Sequence, residues 1–331
     1  MLTEKDNYMR IMRGEMPEFV PVFNYAGLVI PSIINQNRKS DMSGFDCFGV
    51  EFVPTADGIG AVPAPGKFMI NDITKWRDIV TLPDLSNVDW EAMAKKDLEK
   101  IDRSKAFVMG NYITGFFQTL INYMGFTEGL CACSEEPEEV IALMEWVTDF
   151  YMIIGKNMIK YYKPDMVWLP DDVATARSPF ISLTMFRELF SPYWRKYVEL
   201  FLDAGIPTQL HCCGQCEILI QDWIDMGITA WDPVQTANDI DAIKTKYGRK
   251  LALVGGFDAS GRVADPDATE EEIRSEVRKY ADRLAPDGGF VFSASVSGPF
   301  DQREHQKRNA WIMDEYKNYV RDYYQTIPAI K

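Results

Sequence analysis

Short apolar runs alternate with longer segments of helical periodicity along this chain. Seven of the apolar runs predict β-strands, beginning at residues 19, 106, 165, 206, 228, 250 and 289. An eighth strand candidate lies at 48–52. Such alternation is typical of a parallel sheet covered by helices, and eight strand–helix units close into a barrel. The pattern therefore predicts an α/β protein with the (β/α)₈ TIM-barrel fold.

Two of the predicted helices carry clear start and stop signals. The first follows Ser134, a candidate N-cap, and has Pro137 in its first turn. Apolar residues then recur at intervals of three and four, which indicates a helix with one face buried in the core. The second helix is predicted over 183–204 and ends at Gly205, because glycine readily adopts the backbone conformation that terminates helices.

The segment from residue 45 to about residue 89 does not follow the strand–helix pattern. It is irregular and rich in glycine and proline, which favours a long excursion over a helix. Excursions of this length often form lids or binding loops. Since no internal repeat or linker-like stretch divides the chain, we predict a single domain over 1–331 with a long N-terminal excursion.

Composition and charge narrow the function classes. The 331 residues are 47% hydrophobic and 25% charged, as expected for a globular protein. Asp and Glu number 49 against 35 Lys and Arg, and the net charge of −14 argues against nucleic acid or an anionic membrane as the main partner. The first residues do not resemble a signal peptide, and no apolar run is long enough to span a membrane. These features predict a cytoplasmic protein.

The segment 210–216 concentrates potential metal ligands, with three of the six cysteines and one of the two histidines. His211 and Cys213 are two residues apart, so at the end of a strand their side chains leave the same face. Imidazole and thiolate are typical zinc ligands. We therefore predict a zinc site formed by His211, Cys213 and Cys216.

Two other interpretations of these cysteines remain open. They can be reduced thiols in the core, because free cysteine is among the most buried residue types. Alternatively, Cys213 and Cys216 have the two-residue gap of a thiol–disulfide pair.

The active site of a (β/α)₈ barrel lies at the carboxyl ends of its strands. We predict catalytic roles there for Asp171, Asp172 and Gln235. The predicted substrate-binding residues are the polar and aromatic side chains that follow the first two strands, namely Asn24, Tyr25, Tyr112, Phe116 and Phe117. Carboxylates and amides at strand ends can instead cap helices or bond loop amides.

Several segments match one protein family in order and spacing, including His-Cys-Cys-Gly at 211–214 and Asp-Pro-Val-Gln at 232–235. The other segments are 48–51, 73–78, 82–85, 171–172, 182–190 with Pro192, 205–207 and 255–256. Over nearly its full length the chain resembles the uroporphyrinogen decarboxylase superfamily. The resemblance implies a (β/α)₈ barrel and one of two activities, porphyrinogen decarboxylation or zinc-dependent methyl transfer with a corrinoid protein.

The decarboxylases of this superfamily carry an Arg-Gln-Ala-Gly-Arg motif after the first strand, whose arginines bind substrate carboxylates. The matching segment here, 24–28, reads Asn-Tyr-Ala-Gly-Leu, so both arginines are missing. The chain therefore resembles the decarboxylases less than the methyltransferases.

The corrinoid-dependent methyltransferases carry a His-x-Cys pair that matches His211 and Cys213. Their third zinc ligand is a cysteine after the last strand, where this chain has Val296. Either Cys216 or Asp172 is then the third ligand, or the site binds metal weakly or not at all. The resemblance implies methyl transfer from a small methylated donor to cobalamin on a partner corrinoid protein. With one thiolate replaced, an O-methyl donor such as a methoxylated aromatic compound is favoured. A decarboxylase and a catalytically silent binding barrel are the alternatives.

Overall fold

Ten strands are present in the residues that the computed structural model describes, which are 2–35, 37–55, 60–298 and 300–326. In chain order they are β1 Leu28–Val29, β2 Gly44–Phe45, β3 Glu51–Pro54, β4 Ala61–Pro63, β5 Met109–Gly110, β6 Met166–Pro170, β7 Thr208–His211, β8 Ile228–Val234, β9 Ala252–Gly255 and β10 Phe290–Val291. Seven of these form one parallel sheet in the order β1-β5-β6-β7-β8-β9-β10, and β2-β3-β4 form a small antiparallel sheet. The predicted α/β class is confirmed.

Helices in the described part of the chain connect these strands. They are α1 Glu4–Met12, α2 Ser32–Asn35, α3 Trp76–Ile79, α4 Trp90–Asp97, α5 Phe116–Met124, α6 Phe126–Glu135, α7 Pro137–Asn157, α8 Leu183–Leu189, α9 Ser191–Leu202, α10 Ile220–Met226, α11 Ile240–Tyr247, α12 Glu270–Leu284, α13 Gln302–Glu315 and α14 Tyr323–Thr326. A strand followed by one or more helices recurs from β5 to the end of the chain, which gives a TIM-barrel-like arrangement.

The last strand of the sheet returns to the beginning of the chain. A parallel bridge joins Val22 to Phe292, and the Phe23 amide donates a hydrogen bond to the Phe292 carbonyl at 2.9 Å. The predicted strand at residue 19 is thus reduced to this contact, and continuous pairing with β5 begins only at β1. The sheet therefore curls so that its two ends meet around this segment.

The eighth strand candidate at 48–52 was wrong. Its second half belongs to β3, which pairs antiparallel with β2 and β4 outside the parallel sheet. Burial explains the difference, because β3 buries only Phe52 fully, whereas most of β6 is buried on both faces. Strands of a helix-covered parallel sheet are buried on both sides, while a strand of a small antiparallel sheet needs only one buried face.

Two helix boundaries also differ from the sequence pattern. Pro137 begins α7 as predicted, but Ser134 lies inside α6 and does not cap α7. The helix predicted over 183–204 is divided at Phe190 into α8 and α9. Pro192 accounts for this break, because proline inside a helix lacks the amide donor and clashes with the preceding turn.

The interior of the curled sheet is filled by side chains and closed at its amino end by α1. Tyr8 of α1 packs with Phe107, Met109 and Met166 inside the sheet. A second, larger cluster lies between the strands and the surrounding helices. Because the amino end is filled, the carboxyl ends of the strands are the end at which a site can form.

Candidate functional site

The carboxyl ends of β6, β7 and β8 lie side by side and position the polar residues of the site. Pro170 of β6 pairs with His211 of β7, and His211 pairs with Asp232 of β8. Parallel neighbours in register bring the residues that follow each strand to the same edge of the sheet. Asp172, His211 and Asp232 are therefore brought together although 60 residues of sequence separate the first from the last.

Asp172, His211 and Cys213 form a cluster with the geometry of a metal site. Their potential ligand atoms all lie within 4.8 Å of one another. Cys213 Sγ is 3.9 Å from His211 Nε2, and the Cys213 amide donates to Asp172 Oδ1 at 2.6 Å. One sulfur, one nitrogen and one oxygen ligand suit zinc, and three protein ligands leave a fourth position for a substrate atom. The residues therefore fit a zinc ion.

Asp232 lies behind His211 and fixes its orientation. Its carboxylate is 2% exposed, and Oδ1 lies 3.3 Å from His211 Nδ1. Asp232 also accepts hydrogen bonds from Trp168 Nε1 at 3.1 Å and from Gln209 Nε2 at 3.0 Å, and Tyr8 bonds Gln209 in turn. With Nδ1 facing Asp232, Nε2 of His211 faces Cys213, as in carboxylate–histidine–zinc arrangements.

The protonation of His211 links metal binding to pH. Burial acts to lower the pKa of His211, but the Asp232 carboxylate and Cys213 outweigh burial and raise this pKa to about 10. A metal ion binds the deprotonated ring nitrogen and therefore displaces a proton. Zinc affinity at this site should consequently increase with pH.

Replacing Asp232 with asparagine is expected to weaken zinc binding about 10- to 100-fold, because the carboxylate that orients His211 is lost. Competition with a chelating indicator measures this directly. Asp258→Asn is the matched control, since Asp258 is an exposed residue after β9. Equal zinc affinity in Asp232→Asn and in the control would contradict the orienting role.

Cys216 does not join the metal cluster. The backbone turns at Gly214, where φ is +96°, and this turn directs Cys216 into the core. Its Sγ lies 3.5 Å from Cys212 Sγ and 3.4 Å from the Cys213 carbonyl oxygen, and it is not one of the clustered ligand atoms. Burial raises the pKa of the Cys212 thiol well above its usual value, which favours a reduced core thiol at this position. All three cysteines of the segment are free, and Cys213 is only partly buried. Of the two candidates for a third ligand, Asp172 lies close to His211 and Cys213, and Cys216 does not belong to this cluster.

Asp171 is buried and its carboxylate is occupied by four hydrogen-bond donors. The donors are the amides of Phe116, Phe117 and Gln118 and the indole nitrogen of Trp194, at 2.8 to 3.0 Å. Burial raises the pKa of Asp171 to about 7, and the four donors oppose this rise. The contacts show Asp171 capping the first turn of α5, and its predicted catalytic role stays a prediction.

A cavity of about 640 Å³ opens beside the metal cluster, and Asp172 and His211 line it. Tyr112 also lines this cavity, and its substrate-binding role stays a prediction. Phe116 and Phe117 are fully buried and do not line it, because the first turn of α5 points them into the core.

The remaining predicted site residues lie around this cavity rather than in it. Asn24 and Tyr25 are exposed, and the Tyr25 ring contacts Trp168 at a centroid distance of 5.7 Å. Gln235 accepts a hydrogen bond from the Gly214 amide at 2.7 Å and lines a second cavity, of about 490 Å³. Gln235 thus supports the loop that carries Cys213, and it does not share the cavity of His211.

Trp168 and Asn122 are two residues of the site that were not predicted from the sequence. Trp168 and Pro170 share a face of β6, so the period of two could have placed Trp168 towards the site. Asn122 lies four residues after Gln118 on α5, and both line the larger cavity. No pattern in the sequence distinguishes this face of α5 from its others, because most of the helix is buried.

The long excursion covers the larger cavity. Phe52 of β3 and all three residues of β4 line it, so the small antiparallel sheet forms part of its wall. The lid role predicted for this segment agrees with that position.

The family model of uroporphyrinogen decarboxylase (URO-D) matches residues 108–302. Among solved structures, a methyltransferase from Methanosarcina mazei is similar, with a TM-score of 0.63 and 13% identity, covering 96% of this chain and 100% of that one. The apo 3-keto-D-glucoside 4-epimerase from E. coli has a TM-score of 0.37 and 12% identity, covering 76% and 97% of the two chains. A search of curated protein sequences gave no match.

In the described part of the chain, no helix has the length and apolar character needed to cross a membrane.

The likeness to the Methanosarcina mazei protein supports the fold alone, because a chain can share a fold without sharing chemistry. The matched family model spans more than half of the residues, including β6 to β10 and all three residues of the metal cluster. This protein therefore belongs to the uroporphyrinogen decarboxylase family, as its sequence motifs predicted.

Proposed function

We propose that this protein transfers a methyl group from a small methylated donor to a corrinoid, cobalamin, that a separate partner protein carries. Asp172, His211 and Cys213 would bind zinc for this reaction. The observation that carries the proposal is the convergence of these three residues beside a mainly apolar cavity, which Asp172 and His211 line. The fold shared with a Methanosarcina mazei methyltransferase supports it.

The residues of the site have separate tasks in this proposal. When bound, zinc supplies a Lewis acid that draws electron density from the donor atom bearing the methyl group. Asp232 orients His211, and Gln235 supports the loop of Cys213 through Gly214. The apolar wall of the cavity excludes water and positions the donor for transfer.

The ligand set favours a donor with an O-methyl group. Two ligands are oxygen and nitrogen atoms and only one is a thiolate, which leaves zinc a stronger Lewis acid than a site with two thiolates. Polarising an ether or alcohol oxygen requires such an acid. Methoxylated aromatic compounds match both this chemistry and the aromatic residues of the cavity, such as Tyr112 and Trp168.

The alternative activity, porphyrinogen decarboxylation, has less support. Among the described residues that line the larger cavity, none is Lys or Arg. The segment 24–28, which carries two arginines in the decarboxylases that the sequence resembles, has none here. A substrate with several carboxylates would therefore find no lysine or arginine there to pair with.

Methyl transfer can be tested with the zinc-loaded protein, chemically reduced cob(I)alamin in place of the partner, and a panel of donors. We expect the methylcobalamin spectrum to appear with 2-methoxyphenol. Cys213→Ser should lower the rate of methylcobalamin formation by roughly 100-fold or more, because a metal ligand is lost. Cys131→Ser is the control, because Cys131 is an exposed free cysteine. Loss of carboxylate from uroporphyrinogen instead would establish the decarboxylase, and the absence of both reactions would support a silent binding barrel.

A further inference from the structure

Asn122 is a buried polar residue that faces the larger cavity. It lies on α5, is 6% exposed and lines the cavity. Its carboxamide makes no hydrogen bond with any residue that the structure describes, and its polar atoms are open to the cavity rather than sealed in the core. A carboxamide open to a cavity bonds ordered water there or a ligand that replaces the water. A carboxamide both donates and accepts, and it therefore matches a neutral hydroxyl or carbonyl group.

Two other carboxamides of this cavity, those of Gln118 and Asn111, each make one hydrogen bond within the protein. Gln118 donates from Nε2 to the Asp172 carbonyl at 3.1 Å, which ties α5 to the metal cluster. Asn111 accepts a hydrogen bond from the Ile113 amide at 3.0 Å. Asn122 lies one helical turn beyond Gln118, so a ligand that contacts the metal cluster at one end extends past Gln118 towards Asn122.

Charge restricts what Asn122 can bind. Asp171 and Asp172 line the cavity, whereas its described lining contains neither Lys nor Arg. Zinc would not reverse this balance, because the two charges of the ion are cancelled by the Asp172 carboxylate and the Cys213 thiolate. A carboxylate in this cavity would remain buried without a counter-charge, which is strongly unfavourable.

We propose that the cavity selects an uncharged aromatic ligand whose hydroxyl or carbonyl group is hydrogen-bonded by Asn122, and that it rejects the corresponding carboxylate. The apolar wall, which includes Phe52, Ile113 and Ile121, buries the aromatic ring. This proposal depends on the proposed function in one respect, because it takes the aromatic ligand to be the methyl donor. Binding itself requires neither methyl transfer nor a corrinoid.

Calorimetric titration of the zinc-loaded protein with three probes of similar size tests this selection. We expect 4-methoxyphenol, whose hydroxyl lies opposite the methoxy group, to bind about 10-fold more tightly than anisole, which lacks the hydroxyl group. We expect 4-methoxybenzoate to bind at least about 100-fold more weakly than 4-methoxyphenol. In Asn122→Leu the preference for 4-methoxyphenol over anisole should disappear, while anisole affinity stays within about twofold, because only the hydrogen bond is lost.

Asn157→Leu is the matched control, since Asn157 lies on α7 and does not line the cavity. The wild-type comparison of the three probes needs no variant and tests charge selection even where Asn122→Leu does not fold. Equal binding of the phenol and the benzoate, or no binding of any probe, overturns the proposal. An equal loss of phenol and anisole affinity in Asn122→Leu overturns the role of Asn122. Selective binding without methyl transfer would sustain this inference and contradict the proposed function.

Discussion

Replacing His211 with alanine is expected to lower bound zinc from about one equivalent to below about a tenth of an equivalent and to abolish methyl transfer. His211 supplies the nitrogen ligand of a cluster with only two other potential ligands, Asp172 and Cys213. Removing it leaves two ligands, and zinc sites in proteins need three or four. Metal analysis after dialysis against a weak chelator measures the effect independently of activity.

The chain offers a matched control in His305, its only other histidine. His305 lies on α13, and its Nε2 is 3.1 Å from the Gly298 carbonyl. His305→Ala should retain zinc at the wild-type level. A full equivalent of zinc in His211→Ala would falsify the metal site, whereas zinc loss in both variants would point to a general loss of folding.

Replacing Asp171 with asparagine is expected to lower the free energy of unfolding by about 3 kcal/mol, the range for breaking a buried charged network. The four donors around Asp171 all need an acceptor, and the amide group of asparagine presents a donor to some of them. The first turn of α5 would lose its cap. Urea unfolding measures this change, and unchanged stability together with lost activity would restore the catalytic role predicted for Asp171.

The contribution of Asp171 to the free energy of unfolding should decrease as the pH rises. Burial raises the pKa of Asp171 in the folded protein to about 7, whereas an unfolded aspartate titrates near about 4. The folded state therefore binds the Asp171 proton more tightly than the unfolded state does. The stability that protonated Asp171 contributes is fully present below about pH 4 and is lost as the pH rises through about 7. Asp171→Asn should remove this dependence, and Asp78→Asn, at an exposed position on α3, should preserve it.

Local sequence patterns were sufficient for much of the fold. The runs that begin at 165, 206 and 228 became β6, β7 and β8, because a run of apolar residues buried on both faces has few alternatives to a central parallel strand. The run at 48–52 failed because one buried face is also compatible with a small antiparallel sheet. The pattern of this run does not determine which strand it pairs with.

The proximity of His211 and Cys213 could also be predicted from the sequence. His211 and Cys213 are two residues apart at a strand end, and the period of a strand directs both side chains to one face. That relation depends only on residues of one segment, so it holds whichever elements pack around it. The family motifs added the expectation of zinc, and the cluster of the two residues with Asp172 is compatible with it.

The sequence by itself determined how each side chain is directed relative to its own strand or helix, and it placed the chain in its family through motifs that the family model matches. Only the tertiary structure decided that Asp172 rather than Cys216 completes the cluster, that Asp171 caps α5, and that Asn122 faces the cavity without a partner. The reason is physical. Periodicity is fixed by local backbone geometry, whereas contacts between residues far apart in the sequence depend on strand register, helix packing and the turn at Gly214.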